Sequence, residues 1–162
     1  MVAFAEASRA LLQVMEETLD IVEKLIQSAC EKESLLLAAD VEGLGELLER
    51  EEELVFALQE KEKERTEKTR ILAGALGLSE SPKLKDIVSR IDDGECSRRL
   101  KETGDRLSGA LDNLASANSK VRELLHQRID YTDFMLNLLL NPKSRIHAYA
   151  IQGNIGEDGQ GP

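Results

Sequence analysis

Along most of this chain, apolar residues recur at alternating spacings of three and four. The first line is Leu12, Met15, Leu19, Val22, Ile26, Ala29, Glu33 and Leu36. This is a heptad seam, and it predicts a long helix from about Phe4 to Ala38 that packs at a shallow angle on a partner. A second line, Leu44, Leu48, Glu51, Val55, Leu58, Glu62, Arg65, Thr69, Leu72 and Leu76, predicts another long helix. Asp40 offers the short acceptor side chain of an N-cap before it, and Gly77 the left-handed conformation that ends it. Ser81 and Pro82 fit N-cap and first helical position of a short helix, with Leu84, Ile87, Val88 and Ile91 on one face as a plug. Asp92, Asp93 and Gly94 break that helix.

The last helix should start near Glu95 and run to about Leu140, roughly 65–70 Å at the α-helical rise, with Pro142 as its stop. Its seam reads Leu100, Gly104, Leu107, Leu111, Leu114, Asn118, Val121, Leu125, Arg128, Thr132, Met135 and Leu139. Asn118 on that seam is a polar residue of the kind that fixes register at some cost in stability. Gly104 and Gly109 each weaken the helix by about 1 kcal/mol against Ala unless close packing requires them. The pattern therefore predicts an all-α fold: an elongated antiparallel bundle, or coiled coil, of three long helices and one short one. One helical domain spans 1–141, and a flexible tail spans 142–162. The tail is rich in glycine but keeps Ile146, Tyr149 and Ile151 as apolar anchors able to fold onto a partner.

Two stretches depart from a simple seam. Residues 59–70, QEKEKERTEKTR, are charged on every face and read as a solvated helical arm extending past the packed core, or else as a charged docking surface. At the other extreme, FMLNLLL closes the last helix. Leu124, Leu125, Ile129, Tyr131, Phe134, Met135, Leu138, Leu139 and Leu140 cover more than one face there, more than a self-contained hairpin can bury. Two coverings remain open: burial inside the bundle or in a dimer, and binding of a partner protein.

Composition narrows the function. With 3% aromatic residues and no Trp, the core must be aliphatic, and 32% charged residues match the bias of long paired helices. A net charge of −10 without a clustered basic surface argues against nucleic acid and against anionic lipid. No apolar run approaches the roughly 18 residues of a membrane span. Glu6 and Arg9 interrupt any signal-peptide pattern at the N-terminus. Cys30 and Cys96, without a CxxC, read as reduced thiols of a cytoplasmic protein.

Candidate chemistry is thin. Glu123-Leu124-Leu125-His126 has the Glu-x-x-His spacing of di-iron bundles, but such a site needs a second copy and two further inward glutamates. The remaining histidine, His147, lies beyond Pro142. No phosphate-binding glycine motif or HExxH is present, and acidic runs such as Glu51-Glu52-Glu53 read as helix faces. The expectation is a protein that is not an enzyme, holds no metal and takes no cofactor.

The same residues, taken together, resemble the FlgN-type flagellar export chaperones over nearly the whole chain. A first block comprises Glu31, Glu33, Asp40, Leu44, Leu47-Leu48, Glu51-Glu52, Leu54, Leu58, Glu62 and Arg65. A second, more specific block comprises Asn118, Leu124-Leu125, Ile129, the hydrophobic helix end, Tyr149 and Gly153. Val121 stands where that family has a second asparagine, and Ala150 where a glycine often follows the tyrosine. The resemblance implies a cytoplasmic, non-enzymatic chaperone for the hook–filament junction proteins. Its last helix and tail would bind their amphipathic C-terminal segments, prevent aggregation and deliver them to the type III export apparatus. Leu124, Leu125, Ile129, Met135, Leu138, Leu139 and Tyr149 are the implied contacts. The other reading is a homo-oligomeric coiled-coil scaffold in which the sticky last helix closes a homodimer.

Overall fold

The computed structural model describes residues 2–79 and 81–140. Its regular structure there is entirely helical: α1 (Val2–Leu37), α2 (Val41–Leu76), α3 (Leu84–Val88) and α4 (Gly94–Leu140). The chain divides into two units, residues 1–121 and 122–162, and α4 supplies its residues 94–121 to the first. The expected tail, with Tyr149, lies outside the described residues.

Local chemistry sets the helix ends. The Asp40 carboxylate accepts from the Gly43 N–H at 2.9 Å, satisfying one of the orphan amides at the start of α2. Gly77 closes α2 with φ +67°, and Leu78 N–H reaches back to Ala73 O at 2.9 Å. Ala39 adopts the same left-handed conformation at φ 54°, while Asp40 N–H donates to Leu35 O at 3.0 Å. The short helix starts two residues later than Ser81 and Pro82 suggested: Lys83 is its N-cap residue, and the Lys83 N–H donates to Asp86 Oδ2 at 3.3 Å. Asp93 accepts from both Glu95 and Cys96 N–H, each at 3.2 Å, and so opens α4.

In the first unit α1 is the central helix. It buries the expected line except for half-buried Ile26 and exposed Glu33, and also a second one, Leu11, Val14, Thr18, Ile21, Leu25 and Ser28, spaced 3-4-3-4-3 beside it. Two adjacent seams are what a helix needs when it packs against neighbours on two sides. Ion pairs fix the directions. Lys32 to Glu51 at 2.7 Å and Lys61 to Glu17 at 2.6 Å set α2 antiparallel to α1. Glu16–Arg99 at 2.5 Å and Glu23–Arg106 at 3.4 Å, both separated by 83 residues, set α4 parallel to α1.

The seams of α2 and α4 keep Leu44, Leu58 and Leu72, and Leu100, Leu107, Leu114 and Val121, as read in the sequence, while several positions between them move by one residue. On α2 the covered line passes through Leu47, Leu54, Leu58 and Leu72, leaving Leu48 and Val55 exposed. On α4 it is Cys96, Leu100, Thr103, Leu107, Ala110, Leu114, Ala117 and Val121, again at 4-3-4-3-4-3-4. Thr103, Ala110 and Ala117 take the places of Gly104, Leu111 and Asn118 on the covered line, and Ala110 packs with Leu19 and Val22 of α1. Asn118 is exposed one position off it. Gly104 instead faces α3: a Cβ there would meet Leu84 Cδ2, whereas one at Gly109 would meet open space.

Two buried clusters result. Leu11, Leu12, Met15, Leu72, Ile87, Ile91, Cys96 and Leu100 join α1, the end of α2, α3 and the start of α4. Leu19, Val22 and Ala110 form the other. Residues 59–70 do not extend past this core, since buried Leu72 and Ala73 follow them. Their charges pair mainly at i,i+3, as in Glu62–Arg65 at 2.5 Å and Glu67–Arg70 at 2.7 Å, and Lys61 crosses to α1.

Candidate functional site: the apolar end of the last helix

Residues 122–140 form the described part of the second unit, and the helix carries them as an unbroken run from Arg122 to Leu140. None of these side chains is buried. Leu125, Ile129, Tyr131, Phe134, Met135, Leu136, Leu139 and Leu140 are exposed, with Tyr131 at 61% and Leu139 at 67%, whereas Leu124 and Leu138 are half-buried. For an aliphatic helix in water this is costly: each such side chain gains about 1.5–3 kcal/mol on full burial.

The arrangement around the helix axis is more specific than a hydrophobic run. At about 100° per residue, the apolar positions from Phe134 through Leu138, Tyr131, Leu124, Met135, Leu139, Leu125, Leu136 and Ile129 to Leu140 sweep roughly 240°. The remaining arc is a polar strip of Glu123, Asp130, Asn137, His126, Asp133 and Arg122, all exposed. Gln127, Arg128 and Thr132 fall inside the apolar arc. Thr132 returns its hydroxyl to Arg128 O at 2.8 Å, which satisfies the donor within its own helix and lets the residue present a methyl group. The sequence-predicted contacts therefore share one helix segment, and Tyr149 is outside the described residues.

A second apolar feature lies in the first unit. A groove of about 580 Å³ has α1 residues Leu11, Met15 and Thr18, Leu58 and Thr69 of α2, and Leu107 and Leu111 of α4 among its lining. The Glu62–Arg65 ion pair also lines it. Met15, Leu58, Thr69, Leu107 and Leu111 of its lining stand on the seams read in the sequence, which carry no sign that these residues border an opening.

Chemistry of a catalytic kind has little to work with. Among the described residues no group of three or more His, Cys, Asp or Glu side chains is placed to hold a metal. His126 is exposed on the polar strip beside Glu123. Burial, with Asp93 adding to it, pushes the Cys96 thiol up, so it stays protonated and unreactive, and Cys30 is a free thiol at the surface. No described helix is long and apolar enough to cross a membrane.

Against known proteins, one family model, described as "FlgN protein", matches residues 1–156. No curated protein and no solved structure matches the chain.

Proposed function

The chain belongs to the FlgN family of flagellar export chaperones, and from that premise we propose that it is a cytoplasmic chaperone that binds the C-terminal helical segments of hook–filament junction proteins. It acts by binding and not by catalysis. The segment from Leu124 to Leu140, with Tyr149 beyond it, receives the client, keeps its apolar face from aggregating and hands it to the type III export apparatus. The observation that carries this reading is the exposure of so many large apolar side chains on residues 122–140. A helix-in-groove or helix-on-helix contact offers them cover that water does not.

The test is a double substitution, Leu138→Asp with Leu139→Asp. Circular dichroism should show the helicity of the unaltered chain, because neither residue is buried. Pull-down of a junction protein's C-terminal segment should be lost. If the variant captures the segment as well as the unaltered chain does, the site is misplaced. Light scattering of the free chain separates this reading from the self-associating scaffold, which requires a stable dimer at micromolar concentration.

A further inference from the structure

We infer that the apolar end of α4 is a two-sided platform, taking a pair of amphipathic helices from one client molecule, one helix on each side. This rests on the reading above and says what the client must bring. A helix facing a single neighbour carries an apolar stripe about 100° wide, and the seam it shares with one partner helix is narrower still. The apolar arc of residues 122–140 is roughly twice that width at the α-helical turn angle. One docked helix leaves about half of it in water.

The arc divides naturally. Phe134, Tyr131 and Leu138 form one flank, Leu125, Ile129 and Leu136 the other, and Met135 and Leu139, with half-buried Arg128 between them, make the ridge that separates the two. Exposure is high on both flanks, 50% at Phe134 and 48% at Ile129. From Leu124 to Leu140 the platform is about 24 Å long at the α-helical rise, so each client helix has at most about 17 residues to lay along it.

Charge marks the two sides differently. The rim beside Phe134 carries Glu123 and Asp130, seven residues apart on one line, so the helix on that side presents basic residues at matching spacing. The rim beside Ile129 carries Arg122, His126 and Asp133 and suits a mixed partner. A second copy of this chain is a poorer occupant of either flank. It would bring another net charge of −10 against the first.

The experiment uses the full chain and a complete recombinant junction protein. Two double variants, Tyr131→Asp/Phe134→Asp and Ile129→Asp/Leu136→Asp, alter one flank each, and circular dichroism verifies helicity. Titration calorimetry should show at least a tenfold loss of affinity for both. Photo-crosslinking from p-benzoylphenylalanine at position 134 and, separately, at position 129 should map to two different helices of the junction protein. The inference is overturned if either double variant binds within twofold of the unaltered chain. It is equally overturned if both crosslinks fall in one client helix, or if either joins two copies of this chain. Failure of the unaltered chain to bind the junction protein is a different result, since it removes the chaperone reading itself.

Discussion

Ala39 holds a backbone conformation that an L-residue with a Cβ pays about 1–2 kcal/mol to adopt, at φ 54°. It does so because the turn from α1 to α2 leaves only two residues, Ala38 and Ala39, between the end of α1 and the Asp40 cap. Ala39 N–H donates to Leu36 O at 3.2 Å, and Asp40 N–H closes onto Leu35 O. Ala39→Gly should relieve the strain, with part of the gain lost to the greater freedom of glycine in the unfolded chain. A net stabilisation of about 0.5–1 kcal/mol is expected, read as a higher urea midpoint at unchanged slope. A lower midpoint would mean that the alanine methyl group makes a contact worth more than the strain. The sequence placed the cap at Asp40 and the stop at Gly77 because their side-chain chemistry is diagnostic. Ala39 carries no such signal: its conformation is imposed by the two helices it joins.

At the scale of the helix, the shifted seam positions have one cause. A 3-4 alternation can be drawn through either of two neighbouring residues at alternate positions, and hydrophobicity alone favours the larger side chain. On α4 that choice picked Leu111, whereas the buried position is Ala110, which packs with Leu19 and Val22. Helix number, order, approximate ends and about half of each seam were therefore legible, and the alternate positions were not, because the partner's shape decides them. Ion pairs between helices show the same dependence on partners. The Lys61 ammonium, and after it the Gln13 amide, hold the Glu17 carboxyl below its ordinary range, and Glu17 in turn raises Lys61. The carboxylate's contribution to stability is thus complete above the ordinary carboxylate range and is lost as pH falls through its depressed folded value. The ammonium's is complete below the ordinary lysine value and lost as pH rises through its raised one. A double-mutant cycle with Glu17→Gln and Lys61→Met should give a coupling of a few tenths of a kcal/mol at neutral pH. That coupling should disappear in acid and shrink in high salt. A coupling that survives protonation of Glu17 would show that the contact is packing and not charge.

For the molecule as a whole, the distribution of burial separates two roles that the last helix combines. Among the described residues, all the buried ones lie at or before Val121, and both hydrophobic clusters fall within the first unit. Past Val121 the same helix has exposed apolar surface and no buried side chain among its described residues. The sequence shows the surplus in FMLNLLL, since the density of large apolar residues is visible in composition. That the polar residues gather on one strip follows once the helix is carried unbroken to Leu140 at about 100° per residue. The division leads to a truncation. A chain ending at Val121 retains both clusters and the seams of α1, α2 and α4, so its thermal midpoint should stay within about 5 °C of the full chain's, the shift expected from losing roughly 1 kcal/mol. It should also be more soluble, having shed the exposed platform, and should no longer capture a junction protein. Melting followed by circular dichroism and a pull-down on the same preparation test the two halves of this expectation. A collapse of the midpoint would show that residues beyond Val121 stabilise the bundle. Retained capture with an intact midpoint would move the binding site into the first unit, where the groove lined by Leu58, Leu107 and Leu111 is the apolar surface available to hold it.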